Sequence, residues 1–304
     1  MEKLLGKLIQ ESRDLAGHGR VADYIPILAE ACPNDIGICI MDIDGNIHGK
    51  GSYDHGFTLQ SISKVMALML ALLDNGKQKV FSRVGMKPTI EPFNSLHDAR
   101  HYNQRIPSNP MINAGAMVVT DLIGGRGREK ADRLLNLIRD ITSNPNIDYD
   151  EETYLSEKGT AERNRAIAYL LKDLRLLDGD VEEVLDAYFR QCSIQMDCMD
   201  LAKVGLFLAN RCKAPNIIWD DGEEMASLIL AIMNTCGMYD FSGEYAVKVG
   251  VPSKSGVAGG ILAAVPNRFG IGIYGPSLDQ YGNSIVGCKI MEELSKELDL
   301  NIFR

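Results

Sequence analysis

The sequence lacks the long apolar runs and the basic surface that mark membrane-spanning and nucleic-acid-binding proteins. Its longest apolar run, 65–73, is about half as long as a membrane-spanning helix requires. Basic residues are in the minority, since 32 Lys and Arg stand against 41 Asp and Glu for a net charge of −9. These features argue against a membrane, a nucleic acid or another polyanion as the partner.

Paired-cysteine motifs are absent as well. The seven cysteines form an odd set without a C-x-x-C pair, and residues 1–17 lack the apolar core of a secretory signal peptide. We therefore expect reduced thiols and a cytoplasmic protein. What the sequence does have is ordinary globular composition, 45% hydrophobic and 24% charged, over a length of 304 residues that suits about two domains.

The β signal occurs at the two ends of the chain, and the middle is helical. The β segments are a hairpin at 36–48 around Asp44-Gly45-Asn46 and three short apolar runs at 245–249, 259–265 and 269–274. Helical periodicity predicts an interrupted N-terminal helix over 3–30, seven helices between 61 and 234, and a C-terminal helix. A long Pro-containing loop, 85–111, is expected to have a function of its own.

This order predicts an α+β fold in which one antiparallel sheet is flanked by N- and C-terminal helices and interrupted by a large all-α insertion. The sheet domain would comprise 1–60 and 238–304, the helical domain 61–237, and an active site would lie between them. The alternative is a series of separate modules. It is disfavoured because an isolated two-stranded hairpin is only marginally stable.

The first candidate for chemistry is the S-x-x-K pair Ser61 and Lys64, at the start of the helical block. A spacing of three residues places the hydroxyl and the amine on one helix face. A serine becomes a good nucleophile when a base takes its proton, and a lysine can do so if burial or a second cation keeps it neutral. About one such pair is expected by chance at common Ser and Lys usage, so the motif alone is better explained by a capped helix start with a solvated lysine.

A second motif, Lys254-Ser255-Gly256, heads a β run near the C-terminus. K-[ST]-G on a strand accompanies S-x-x-K in serine hydrolases of the penicillin-binding class. Glycine allows the strand edge to approach a ligand closely, and the N–H groups of Val257 and Ser61 could together form an oxyanion hole. Lys254 would keep the neighbouring base neutral by repulsion between like charges. The two motifs together favour a Ser/Lys hydrolase.

Eight sequence blocks between about residue 20 and residue 285 resemble the bacterial-type glutaminase family. The blocks are Gln60-Ser-Ile-Ser-Lys-Val, Pro92-Phe-Asn-Ser, Asn109-Pro-Met-Ile-Asn-Ala-Gly-Ala, Tyr154-Leu-Ser-Glu, Arg163-Asn-Arg-Ala, Tyr188-Phe-Arg-Gln-Cys-Ser, Cys236-Gly-Met-Tyr-Asp and Lys254-Ser-Gly-Val. The resemblance implies a serine β-lactamase-like fold, hydrolysis of L-glutamine to L-glutamate and ammonia, no cofactor, and a homo-oligomer, either a dimer or a tetramer.

The resemblance also assigns roles to individual residues. Ser61 would be the nucleophile and Lys64 its base, with Tyr188 and Lys254 nearby to relay protons or tune charge. The positions that match the family's glutamine contacts are Ser61, Asn113, Glu157, Asn164, Tyr188, Tyr239 and Val257. The chemistry of these side chains suits a free amino acid. Glu157 offers a carboxylate to the α-ammonium, and the Asn and Tyr side chains offer donors to the α-carboxylate.

Each of these residues also has an ordinary structural explanation. Glu157 stands in a charged run typical of a solvated loop, and Asn113 could simply cap a helix. Tyr188 and Tyr239 could be core aromatics with satisfied hydroxyls. Only the surrounding sequence blocks favour a functional role.

Metal, nucleotide and thiol chemistry are weaker candidates. His97 and His101 have helical spacing but no third ligand, so we expect no metal site. The segment 42–46 is a hairpin turn that lacks the spacing of a calcium loop, and 124–128 lacks the order of a phosphate-binding loop. No histidine lies near Cys192 or Cys236 to activate a thiol nucleophile.

Two other functions are compatible with part of the same evidence. A β-lactamase, D-amino-acid peptidase or esterase would share the fold and the Ser/Lys pair, and a non-catalytic sensor would retain the pocket without turnover. The sequence leaves the deacylation base open among Lys64, Tyr188 and Lys254.

Overall fold

The computed structural model describes residues 1–89, 91–95, 106–214 and 217–304. Ten strands occur in these ranges: β1 Gly37–Asp42, β2 Ile47–Gly51, β3 Phe57–Thr58, β4 Asp148–Tyr149, β5 Ile194–Met196, β6 Lys213–Ala214, β7 Ile217–Ile218, β8 Ser253–Ser255, β9 Gly260–Val265 and β10 Phe269–Tyr274. The main sheet is antiparallel with strand order β2-β1-β10-β9-β8. Short strands form a second sheet in the order β3-β5-β4, and β6 pairs with β7.

Eleven α-helices occur in the same described ranges: α1 Glu2–Ser12, α2 Ser63–Arg83, α3 Asn113–Leu122, α4 Arg128–Thr142, α5 Glu151–Gly159, α6 Glu162–Asp173, α7 Val181–Cys192, α8 Cys198–Ala209, α9 Gly222–Cys236, α10 Ser242–Lys248 and α11 Ile285–Glu297. Four short 3-10 turns, at Arg13–His18, Pro26–Glu30, Gln60–Ile62 and Tyr239–Phe241, connect them. Helices α2 to α10 therefore lie in sequence between β2 and β8 of the main sheet.

The main sheet is buried on both faces because its side chains alternate between two cores. Ile38 and Ile40 of β1 pack with α1 and α11, whereas Cys39 between them packs with the helical block. On β10, Gly270 allows α8 to lie directly against the sheet, since a Cβ there would come within 2.0 Å of the Ala202 carbonyl oxygen. The sheet thus lies between the terminal helices and α8. The predicted boundaries of two domains, 60/61 and 237/238, stay a prediction.

The sequence interpretation was wrong about the segment 245–249. It belongs to α10 and the turn after it, and the strand beside β9 is β8. The burial pattern is helical, because Tyr245 and Val249, four residues apart, are both buried while Val247 is 82% exposed. A short apolar run does not by itself distinguish a strand from a helix.

The N-terminal helix is also shorter than predicted. It ends at Ser12, and only 3-10 turns at Arg13–His18 and Pro26–Glu30 follow before the sheet begins. Between these turns, Ile25 is buried. The predicted hairpin is confirmed, with the Asp42 carboxylate accepting hydrogen bonds from the backbone N–H groups of Asp44 and Asn46 in its turn.

None of the helices in the described ranges combines the length and the hydropathy of a membrane span. The predicted loop 85–111 has no helix or strand in its described parts. His97 and His101 lie outside the described residues.

Candidate active site

Ser61 lies in a sharp turn between β3 and α2. The Leu59 N–H donates to the Ile194 carbonyl at 2.8 Å, and Gln60 then adopts a φ of 48°. A non-glycine residue in this left-handed region costs of order 1–3 kcal/mol, and such strain is concentrated at functional sites. The turn places Ser61 two residues before the start of α2, where it is 7% exposed.

Lys64 lies in the first turn of α2 and is buried. Its Nζ donates to Asn113 Oδ1 at 2.7 Å and to the Met111 carbonyl oxygen at 3.1 Å. Burial lowers the pKa of Lys64 to about 8, although the charges of Cys192 and Glu157 oppose the shift. About a tenth of Lys64 is therefore neutral at pH 7 and about half at pH 8, and the neutral amine is the form that can act as a general base for Ser61.

Lys254, on β8, is also fully buried. Burial lowers its pKa well below the usual range, and the positive charge of Lys64 lowers it further. Its Nζ donates to the Ser255 carbonyl oxygen at 2.5 Å and lies 4.4 Å from the centre of the Tyr239 ring. Burial has the largest effect on the pKa of Lys64. The repulsion between the two lysines, which the sequence predicts to lower the pKa of Lys64, lowers the pKa of Lys254 instead.

Tyr239 connects these two lysine environments. Its hydroxyl donates to the Ser255 carbonyl oxygen at 3.3 Å and is also hydrogen-bonded to Ser61. Burial raises the pKa of the Tyr239 phenol, so the group is neutral and can both accept and donate a proton. Tyr239 has a φ of 54°, a second left-handed residue at the site.

The turn between β8 and β9 brings Val257 close to the turn that carries Ser61. A Cβ on Gly256 would come within 2.6 Å of the Leu59 carbonyl oxygen, so the close approach requires glycine. The structure gives neither the Ser61 N–H nor the Val257 N–H a backbone acceptor among the residues it describes. Both donors are available to an oxyanion.

Glu157 lies near the end of α5 and is 8% exposed. Its Oε2 atom is buried and has no hydrogen-bond partner. Burial raises the pKa of this carboxyl to about 7, with the charge of Lys64 partly opposing the shift. A buried acceptor without a partner is costly, and a bound ammonium group would satisfy it.

Two asparagines connect Lys64, the candidate base, to the part of the site that contains Glu157. Asn113 opens α3, and its backbone N–H donates to the Phe93 carbonyl oxygen at 2.9 Å. Its side-chain Nδ2 donates to Asn164 Oδ1 at 3.0 Å while its Oδ1 accepts from Lys64. Asn113 is therefore more than a helix cap.

Tyr188 and Cys192 are neighbours on one face of α7, and both are buried. The Tyr188 hydroxyl is hydrogen-bonded to the Cys192 thiol. Burial raises the pKa of both groups, so both are neutral. A neutral thiol is a poor nucleophile, in agreement with the sequence interpretation.

A cavity of about 80 Å³ collects most of the predicted residues. The predicted residues that line it are Ser61, Asn113, Glu157, Asn164, Tyr188 and Val257. Lys64, Tyr239 and Lys254 are connected to it through the contacts given above. The helical insertion, the segment before β1 and the β8–β9 turn all contribute to its walls.

Sequence reasoning missed Tyr24, Phe93 and Arg163, which also line this cavity. The Tyr24 side chain is 53% exposed as a whole. Burial of the part that lines the cavity, together with nearby Tyr239 and Glu157, raises the phenol pKa well above the usual range. No local pattern identifies Tyr24, because it lies between two 3-10 turns in a segment for which the sequence predicts a helix.

The described ranges contain no group of three or more His, Cys, Asp or Glu side chains arranged to hold a metal ion. All seven cysteines are unpaired, and five of them are buried.

Comparison with known proteins agrees with the chemistry of this site. The family model described as Glutaminase matches residues 19–303. The chain belongs to the glutaminase family. A protein from Clostridium perfringens named Glutaminase 2 is 49% identical over the whole of both chains, and a glutaminase from Clostridium tetani is 50% identical, also over the whole of both.

Solved structures of bacterial glutaminases share the fold. A probable glutaminase from Bacillus subtilis has a TM-score of 0.92 and 37% identity, covering 99% of this chain and 97% of that one. A second Bacillus subtilis structure, complexed with 6-diazo-5-oxo-L-norleucine, has a TM-score of 0.89 and 37% identity over 98% of this chain and 94% of that one. The predicted α+β, serine β-lactamase-like fold is confirmed, and so is the predicted class of enzyme, a hydrolase of the glutamine amide.

Proposed function

We propose that this glutaminase hydrolyses L-glutamine to L-glutamate and ammonia through an acyl-enzyme on Ser61, with Lys64 as its base. The observation that carries the proposal is the buried Lys64 amine, with a pKa of about 8, one helical turn from a serine that lies in a strained turn. A Bacillus subtilis glutaminase forms a covalent complex with 5-oxo-L-norleucine on reaction with 6-diazo-5-oxo-L-norleucine. That reaction is consistent with a nucleophile in the shared fold.

In the acylation step the Lys64 amine takes the hydroxyl proton of Ser61, and Oγ attacks the side-chain amide carbon. The oxyanion accepts hydrogen bonds from the N–H groups of Ser61 and Val257. The C–N bond then breaks, the nitrogen receives the transferred proton, and ammonia leaves. Water next attacks the glutamyl ester, loses its proton to the base, and Ser61 recovers its hydroxyl as glutamate departs.

The contacts favour Tyr239 over Tyr188 as the proton relay. Tyr239 is hydrogen-bonded to Ser61, whereas Tyr188 is hydrogen-bonded to Cys192 on its own helix. We assign Tyr188, with Asn113 and Asn164, to substrate positioning. Lys254 supports Tyr239 by its place over the ring and by sharing the Ser255 carbonyl acceptor.

The substrate's α-ammonium would pair with Glu157, the buried carboxylate in the cavity. A β-lactam has no such ammonium group on its reacting ring, so Glu157 favours a free amino acid over the β-lactamase alternative. Turnover itself distinguishes the enzyme from a non-catalytic sensor.

The direct test is release of glutamate and ammonia from L-glutamine by the purified chain and by Ser61→Ala. We expect the alanine variant to lose about 10⁴-fold or more in kcat, as removal of a nucleophile does in other serine hydrolases. Ser156→Ala is a suitable control because Ser156 lies on α5 one residue from Glu157 and has no proposed catalytic role. The mechanism would be falsified if Ser61→Ala kept wild-type turnover.

We also propose that the protein works in the cytoplasm as a homo-oligomer, either a dimer or a tetramer. The unpaired state of all seven cysteines supports a reducing compartment. Light scattering coupled to size-exclusion chromatography would give the number of subunits, and a single-chain mass would contradict the oligomer.

A further inference from the structure

A second, smaller cavity of about 20 Å³ adjoins the substrate cavity. Phe93 lines both cavities, and its ring centre lies 4.8 Å from that of Tyr239, which lines the smaller one. A cavity of about 10–15 Å³ by this measure holds one water molecule. Ammonia has a single heavy atom, as water does, and nearly the same size, so the cavity accommodates one molecule of either.

The small cavity borders the reacting end of the site. The Tyr239 hydroxyl on its wall is hydrogen-bonded to Ser61, and the carbonyl of Met111, another lining residue, accepts a hydrogen bond from Lys64. Glu157, the proposed partner of the substrate's α-ammonium, lines only the larger cavity. A glutamine bound with its ammonium at Glu157 and its amide at Ser61 therefore directs its amide end toward the small cavity.

The other side of the small cavity is acidic and opens toward the surface. Glu91 and Asp240 both line it, and Asp240 is exposed. Partial burial and the negative charge of Glu91 raise the pKa of Asp240, as expected for two neighbouring carboxylates. A cation held between them would relieve this repulsion, and ammonia that leaves the site becomes the cation ammonium at neutral pH.

We propose that this cavity is the exit site for ammonia, with Tyr239 and Phe93 at its inner end and Glu91 and Asp240 at its outer end. The inference rests on the proposed function, because ammonia arises only when Ser61 displaces it from the amide. The C–N bond breaks as the ester forms, the nitrogen carries away the proton that Ser61 lost, and ammonia enters the cavity. At its acidic end ammonia takes a proton from a water molecule, and the hydroxide that remains is neutralised by the proton released when the ester is hydrolysed to glutamate. The two carboxylates stabilise the resulting ammonium ion without changing their own protonation.

Product inhibition by ammonium tests the outer end of this site. Initial rates of glutamate formation are measured by chromatography at several glutamine concentrations, in ammonium chloride or in sodium chloride of equal ionic strength. We expect ammonium to lower kcat, an effect that glutamine cannot reverse because the two ligands occupy different cavities. In the double variant Glu91→Gln, Asp240→Asn, the inhibition constant should rise about threefold to tenfold, the range expected for removing partly exposed charges.

Asp220→Asn is the matched control, since Asp220 is an exposed aspartate of the helical region that lines neither cavity. Its inhibition constant should equal that of the wild type. The exit site is overturned if ammonium does not inhibit the wild type, or if the double variant has the wild-type inhibition constant.

Cys236→Met tests the cavity itself, because Cys236 lines it and the longer side chain would fill its volume. We expect kcat for glutamine to fall at least about fivefold, on the scale of small changes in a tightly packed site. Labelling of Ser61 by 6-diazo-5-oxo-L-norleucine liberates dinitrogen and no ammonia, so its rate should change less than twofold. Equal losses in both reactions, or no loss in either, would overturn the exit site.

The same labelling experiment separates this inference from the proposed function. Peptide mapping that finds the label on Ser61 while the double variant keeps the wild-type inhibition constant rejects the exit site alone. Absence of a label on Ser61 in the wild type rejects the acyl-enzyme on Ser61, and the exit site with it.

Discussion

Lys64 Nζ lies 2.7 Å from Asn113 Oδ1, and this hydrogen bond joins the first turn of α2 to the start of α3. The partner of the proposed base is thus a neutral amide rather than a carboxylate. A carboxylate at this distance would hold Lys64 in its charged form, which cannot accept the proton of Ser61. The amide accepts a hydrogen bond from the amine without stabilising the positive charge to the same degree.

Asn113→Asp should therefore raise the pKa of Lys64. An adjacent carboxylate raises the pKa of a partner amine by about one to three units. We expect the alkaline rise of kcat/KM to move to higher pH and the rate at pH 7 to fall at least about tenfold. Asn136→Asp is the control, because Asn136 is exposed on α4 and does not line the cavity. A pH profile unchanged in Asn113→Asp would contradict the role of Lys64 as the base.

The wild-type pH profile of kcat/KM should reflect the ionisation of two groups. The pKa of Glu157 is raised to about 7, so its carboxylate is charged above that pH and binds the α-ammonium more strongly as the pH rises. The pKa of Lys64 is lowered to about 8, so the neutral, basic amine also increases as the pH rises. Deprotonation of either group increases activity, so kcat/KM should increase from about pH 6 to about pH 9. A profile that decreases over this interval would exclude these assignments.

Glu157→Gln should act mainly on substrate binding. The substitution keeps the shape of the side chain and removes the charge that pairs with the α-ammonium, a contribution of about 1.5–3 kcal/mol. KM should rise about 10- to 100-fold with a smaller change in kcat. The same variant should also lose the pH dependence of KM near pH 7. Glu152→Gln is the control, because Glu152 lies on the same helix and is exposed. This substitution should leave KM unchanged.

Tyr239→Phe and Tyr188→Phe should differ in which kinetic constant they alter. The Tyr239 hydroxyl is hydrogen-bonded to Ser61. Its loss should therefore lower kcat about 10²- to 10⁴-fold, the usual contribution of general acid–base catalysis. Tyr188→Phe should raise KM and change kcat less. The assignment of the relay to Tyr239 fails if Tyr188→Phe gives the larger loss of kcat.

Gly256→Ala should damage the oxyanion site. The added Cβ would meet the Leu59 carbonyl oxygen at 2.6 Å and would push the β8–β9 turn away from Ser61. We expect kcat to fall about 10²-fold or more, in line with the loss of one oxyanion donor. Gly243→Ala on α10 is the control, since a Cβ there meets nothing within 4 Å. The control should keep wild-type kcat and a wild-type or slightly higher melting temperature.

The sequence was sufficient for the parts of the site that depend on local geometry. Ser61 and Lys64 are one helical turn apart wherever the segment folds as a turn and a helix, and Gly256 beside Val257 marks a close backbone approach in any strand context. The alternation in 38–40 likewise determines which strand face meets which core. Eight ordered blocks added the family, and with it the positions of Asn113, Glu157 and Asn164.

Only the tertiary structure decided how these residues behave chemically. The pKa of Lys64 depends on burial beneath α3, and that of Glu157 on burial in a cavity, neither of which is encoded within a few residues of the side chain. The contact between Ser61 and Tyr239, the entry of Tyr24 into the cavity and the helix over Ser242–Lys248 all depend on long-range packing. A local pattern states which conformations a segment can adopt, whereas packing determines the one adopted and the dielectric environment of each titratable group.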